Sequence, residues 1–257
     1  MRAIAATTLL LFGAPAGAHE FWIQPTDYTP APGEAIAADT RVGEKFVGSS
    51  YAYVPTRTER FDVVGPDGVA PAGSRAGDRP AFAATVLPEG LNVIVHETGD
   101  MTLTYDEDGK IQRFAEHKGF LDLVRGETVP VVEKYRRFAK SLVGVGNAEG
   151  SDAPVGMRVE LVAQANPYTD DLSAGLPVLL LEDGQPVPDY QIELFARPLS
   201  GGEAEITKHM TSAAGTALLP VAPGHEYMAD SVRMHRWEGD EAKWYSLWAN
   251  LTFAVPG

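Results

Sequence analysis

At 257 residues, with 21 Lys and Arg against 35 Asp and Glu, the chain carries a formal net charge of −14 and has no cysteine. The missing cysteines exclude disulfide staples, thiolate metal sites and cysteine nucleophiles. The acidic balance disfavours nucleic acid and anionic lipid as partners and concentrates cations near the surface.

The chain opens MRAIAATTLLLFGAPAGAHEFW. Arg2 makes a positive start, a short apolar run follows, and Ala16-Gly17-Ala18 ends on small residues, so 1–18 read as a cleavable export signal. The apolar run falls short of the roughly 20 residues that a permanent membrane anchor needs. The protein is therefore expected in the periplasm and not as an integral membrane protein. Cleavage after Ala18 makes His19 the first residue of the mature chain. Its α-amino nitrogen and ring Nδ1 then chelate one cation at neutral pH, because both nitrogens lose their protons readily to a metal. Nitrogen donors suit Ni(II), Co(II), Zn(II) and Cu(II), and copper has the highest bare affinity.

The next stretch reads as short strands. FWIQP, EAIAADTRVG, RTERFDVVGP, AFAATVL and GLNVIVHET alternate or run apolar, with TPAPGE, GPDG and PEG as turns between them. From Lys110 the period changes. In GKIQRFAEHKGFLDLV, Ile111, Phe114, His117 and Phe120 recur at helical spacing. A second helix is expected in VVEKYRRFAKSLVGVG, with Val131, Val132, Tyr135, Phe138, Ala139 and Leu142 on its apolar face and its basic residues in water. GVGNAEGSDAPVG is a polar, Gly-rich connector. Strands return in GMRVELVAQANPY and in LPVLLLEDGQPVPDYQIELFARP, which is hinged at Asp183-Gly184, and the last is YSLWANLTFAV. The fold class is thus mainly β. Two β-sandwich domains of immunoglobulin-like or transthyretin-like type, at 19–109 and 156–257, flank a helical segment and linker at 110–155.

His19 needs partners to make a stable site. In order of preference these are His117 and His96, then His235, with Glu20 or Glu97 available to orient the imidazoles. His209 lies in a polar strand and His225 in a Pro-Gly turn. The chain has no HExxH zinc motif, no EF-hand loop, and no GxSxG, Walker or dinucleotide fingerprint.

Several longer motifs occur in order: HEFW, EKYRRFAKSLVGVG, ANPYTDDLSAGLPV, DGQPV, QIELFARP, PGHEYMADSVRMH and WYSLWANLTF. Together they resemble the DUF4198 family of exported bacterial proteins, over the whole span from His19 to Phe253. The resemblance implies a periplasmic component of a nickel or cobalt uptake system. It carries over His19 at the exposed start, with Trp22 beside it, and a late strand ending at His235. The function expected is capture of Ni, Co or Cu through His19 for a membrane metal transporter or outer-membrane receptor, without enzymatic activity. Two alternatives stand beside it. One is a metal-free β-sandwich adaptor for a partner protein or glycan. The other is a copper oxygenase that uses the N-terminal histidine brace.

Overall fold

A computed structural model describes residues 19–257; the expected export signal at 1–18 lies outside the described residues. From the N-terminal side run β1 (Glu20–Pro25), β2 (Ala35–Glu44), β3 (Val47–Tyr51), β4 (Thr58–Gly65), β5 (Gly68–Pro71), β6 (Phe82–Val86), β7 (Gly90–Thr98) and β8 (Met101–Tyr105). Helices α1 (Lys110–Lys118) and α2 (Leu121–Val124) come next, followed by β9 (Val131–Val145). The chain continues through β10 (Val159–Ala163), β11 (Leu176–Glu182), β12 (Gln185–Pro186), β13 (Gln191–Pro198) and β14 (Glu205–Met210). It ends with β15 (Thr216–Leu219), β16 (His225–Arg236) and β17 (Trp244–Val255).

A nine-stranded sheet in the order β14-β13-β16-β17-β9-β7-β4-β5, with β8 also on β9, forms the middle layer. It draws strands from both sides of the helical segment. Its one parallel pairing is β17 with β9; the others are antiparallel. Side chains alternate between the two faces of a strand, and here both faces are covered. Val93 and Val95 of β7, with Phe138 and Leu142 of β9, join Val159, Leu161, Val178 and Leu180 of the β10–β11 sheet in one core. Ile94, Ala139 and Val143 point the other way, into a core with Phe21, Ile23, Ile36 and Phe82 of the β1–β2–β3–β6 sheet. The fold is therefore mainly β and sandwich-like, as expected, with two sandwiches sharing one sheet.

Helix α1 also forms as expected. Ile111 and Ala115 are buried, and Gly119 closes the helix at φ +85°, where its N–H bonds back to the Ala115 carbonyl. With α2 it caps one end of the middle sheet through Phe120, Val124, Trp244 and Trp248.

The second expected helix does not exist. Residues 131–145 form β9, paired with β7, β8 and β17. A strand buried on both faces loses the two-residue alternation, because neighbours such as Phe138 and Ala139 are both apolar yet serve opposite cores. Val131, Tyr135, Phe138, Ala139 and Leu142 then fall by coincidence at helical spacing. Of the basic residues expected in water, Lys140 is fully buried and 2.6 Å from Asp152 Oδ1, while Lys134, Arg136 and Arg137 are partly buried.

Leu142 sits in the larger core with no exposed surface, so Leu142→Ala is expected to cost about 2–5 kcal/mol in urea unfolding. A loss below about 1 kcal/mol would contradict its place in the central sheet.

Candidate metal and ligand cavity

The GAHEFW stretch is placed residue by residue. Along an extended chain, 19 and 21 share one side and 20 and 22 the other. Trp22 is fully buried, its ring 5.5 Å from that of Phe46. Glu20 is buried and its Oε1 lies 2.9 Å from Lys118 Nζ. Phe21 stands 5.1 Å, ring to ring, from His96. His19, just before β1, is half-buried, with Nε2 3.5 Å from Glu44 Oε1, and its carbonyl accepts a 2.9 Å hydrogen bond from Arg137 Nη2.

His19 and His96 line one cavity of about 370 Å³ between the β1–β2–β3 sheet and the middle sheet. Its outer wall is Thr40, Val42, Tyr51, Tyr53 and Val54, and Arg57 stands exposed at the rim. The inner wall is Met101 and Leu103 of β8, Glu133, Tyr135 and Arg137 of β9, and Trp248 of β17.

His96 is 5% exposed, clamped between Phe21 and Phe61. Its Nε2 lies 3.4 Å from the Thr58 hydroxyl, and its Nδ1 has no hydrogen-bond partner among the described residues. Burial among apolar rings brings its pKa down to about 3, so the imidazole is neutral at pH 7. A neutral imidazole with an orphaned buried nitrogen is the protonation state a transition metal requires.

Lys118 anchors the floor of this arrangement. Its ammonium lies 2.9 Å from Glu20, 2.6 Å from Glu193 and 2.8 Å from Asp230, and all four side chains are buried. Burial alone would lower the lysine's pKa; the carboxylates reverse this and raise it, so it stays charged. Those carboxylates converge closely enough to hold a cation, but the ammonium already sits among them.

The remaining expected residues lie elsewhere. His117, half-exposed, is 3.0 Å from Glu193 at the outer edge of the lysine cluster. His235 is 2.6 Å from Glu182 Oε1, on the side of the middle sheet's end that faces β11. Neither lines the cavity. Of the carboxylates expected to orient imidazoles, Glu20 serves Lys118, and Glu97 lies beside Arg60 and Arg136. Sequence reading missed Glu133, Arg137 and Lys118. Glu133 accepts from the Tyr105 hydroxyl at 2.5 Å and from Ser246, and burial raises its pKa. The available signal was charge inside an apolar, β-branched run, which marks a strand with partnered ionic groups as readily as a wetted helix.

A family model described as "Domain of unknown function (DUF4198)" matches residues 16–234. No curated protein matches. Among solved structures, the tetra-tandem repeat in the extending region of a large adhesion protein is similar at 10% identity with a TM-score of 0.21. That match covers 93% of this chain and 50% of the other, and a likeness so low carries no argument. No helix among the described residues is long and apolar enough to cross a membrane.

Two outcomes follow from this geometry. Lys118→Met leaves three buried carboxylates without their cation and is expected to destabilise the protein by about 3–5 kcal/mol, read by chemical unfolding. The second concerns Glu182. Burial pushes its carboxyl up, but the hydrogen bonds and charges of His235 and Arg233 outweigh burial and bring it down to about 2. A depressed carboxylate stabilises the fold above its ordinary value near 4.5, and that share is lost as pH falls toward 2. The stability gap between wild type and Glu182→Gln should therefore be largest near neutral pH and shrink between about pH 4.5 and 2. A gap that does not change with pH would contradict it.

Proposed function

The chain belongs to the DUF4198 family, and we propose that it is an exported, periplasmic carrier of a divalent transition-metal ion, which it passes to a membrane uptake system. The ion is cargo, held through nitrogen. Signal removal after Ala18 frees the His19 α-amino group beside the His19 ring, and His96 supplies the further imidazole. The observation that carries this reading is that His19 and His96 line the same cavity, with His96 neutral and its Nδ1 without a partner.

The family resemblance points to nickel or cobalt, whereas bare nitrogen affinity favours copper. A cavity open to solvent beside the N-terminus suits a carrier, which must give up its ion as well as take it. His96 starts neutral and so releases no proton on binding.

Calorimetric titration of the mature protein with Ni(II), Co(II) and Cu(II) tests this. Binding to the native form is expected to weaken at least tenfold in His19→Ala, in His96→Phe, and when one extra residue precedes His19. His117→Ala and His235→Ala should leave affinity within about twofold. Equal binding by the native and His96→Phe proteins would contradict the reading.

A further inference from the structure

The ionisable lining of the cavity runs against the rest of the molecule. In a chain with net charge −14, its lining brings two guanidiniums, Arg57 and Arg137, against the single carboxylate of Glu133. Arg137 is the central member. Its Nη2 donates to the His19 carbonyl, and its Nε is buried with no partner. Its guanidinium lies 4.9 Å from the Tyr135 ring. Among the described residues no carboxylate comes within ion-pair distance of it. Glu133 on the same wall is occupied by Tyr105 and Ser246, and burial favours its neutral form. Arg57 at the rim likewise has no carboxylate partner among the described residues.

The dimensions agree. About 370 Å³ is far more than an ion and one or two waters would fill, at ~30 Å³ per water in the liquid. It lies in the range of small-molecule pockets, roughly 300–1,000 Å³. The walls beyond Arg137 are aromatic or aliphatic: Tyr51, Tyr53, Val54, Met101 and Leu103. A cavity with two guanidiniums and apolar walls suits an organic anion.

We infer that the cavity binds a small organic carboxylate with an apolar body, its carboxylate on Arg137 and its body among Tyr51, Tyr53, Met101 and Leu103. The anion subsite rests on Arg137 and the cavity walls and stands apart from the metal reading.

The test uses the mature protein stripped of metal, with benzoate as the probe and benzyl alcohol as its neutral counterpart of similar size. Saturable benzoate binding is expected, about tenfold or more tighter than benzyl alcohol. It should fall by a similar factor in Arg137→Gln and in Val54→Trp, which crowds the wall. No saturable benzoate binding, or benzyl alcohol within threefold of benzoate, overturns the inference. That comparison decides the matter on the native protein even where Arg137→Gln fails to fold. Metal binding without benzoate binding overturns the anion subsite and leaves the carrier reading intact. Benzoate binding without metal binding does the reverse.

Discussion

One buried ammonium sets the position of the N-terminal strand. Lys118, at the end of α1, gathers Glu20 from β1, Glu193 from β13 and Asp230 from β16 around a single charge. Each carboxylate is out of water and shares that lysine's charge, with His117 and Lys208 also beside Glu193, and together they depend on α1 ending where it does. Glu20 is the residue next to His19. The place of His19 is held by an ion cluster one residue away, on the opposite side of the strand. Trp22 adds a second anchor on that side, against Phe46. The opposite side is then left to His19 and Phe21, which face His96 and the cavity.

The middle sheet explains why the cavity has the walls it has. Because both faces of β7 and β9 are covered, charged side chains on these strands cannot escape to water along their whole length. They resolve into local solutions. Lys140 pairs with Asp152, and Glu133 takes two hydroxyl donors. Arg137 borrows the His19 carbonyl and the face of Tyr135. The last of these solutions leaves Arg137 Nε without a partner and the charge without a close carboxylate, and it occurs beside an open volume. His96 is the counterpart on β7: an imidazole made neutral by its apolar neighbours, with one nitrogen unused.

Much of this was legible in the sequence, and the failures share a cause. The strands of 19–105, helix α1 and the C-terminal hairpins carry local signals: alternation, Gly and Pro turns, and a helical period that ends at Gly119. The strand at 131–145 does not. Its pattern reflects two cores built from distant segments, and no local rule separates Phe138 and Ala139 facing opposite ways from a helical stripe. The same blindness affected the site. His19 and His96 stood among the candidates, and both line the cavity. His117 and His235 were equally plausible on residue type. Only the sheet register and the lysine cluster place His117 at Glu193 and His235 at Glu182. Arg137 was hidden by the mistaken helix, whose basic residues were assigned to solvent.

The proposed N-terminal chelate requires export and cleavage after Ala18, whereas the neutral state of His96 follows from its burial against Phe21 and Phe61. The most direct measurement is electron paramagnetic resonance of the Cu(II)-loaded mature protein, with only the histidine imidazole rings labelled with ¹⁵N. The account predicts hyperfine coupling from two imidazoles, His19 and His96, together with an unlabelled amine, and loss of one imidazole coupling in His96→Phe. Coupling from a single imidazole in the native protein, or a spectrum unchanged by His96→Phe, would contradict it.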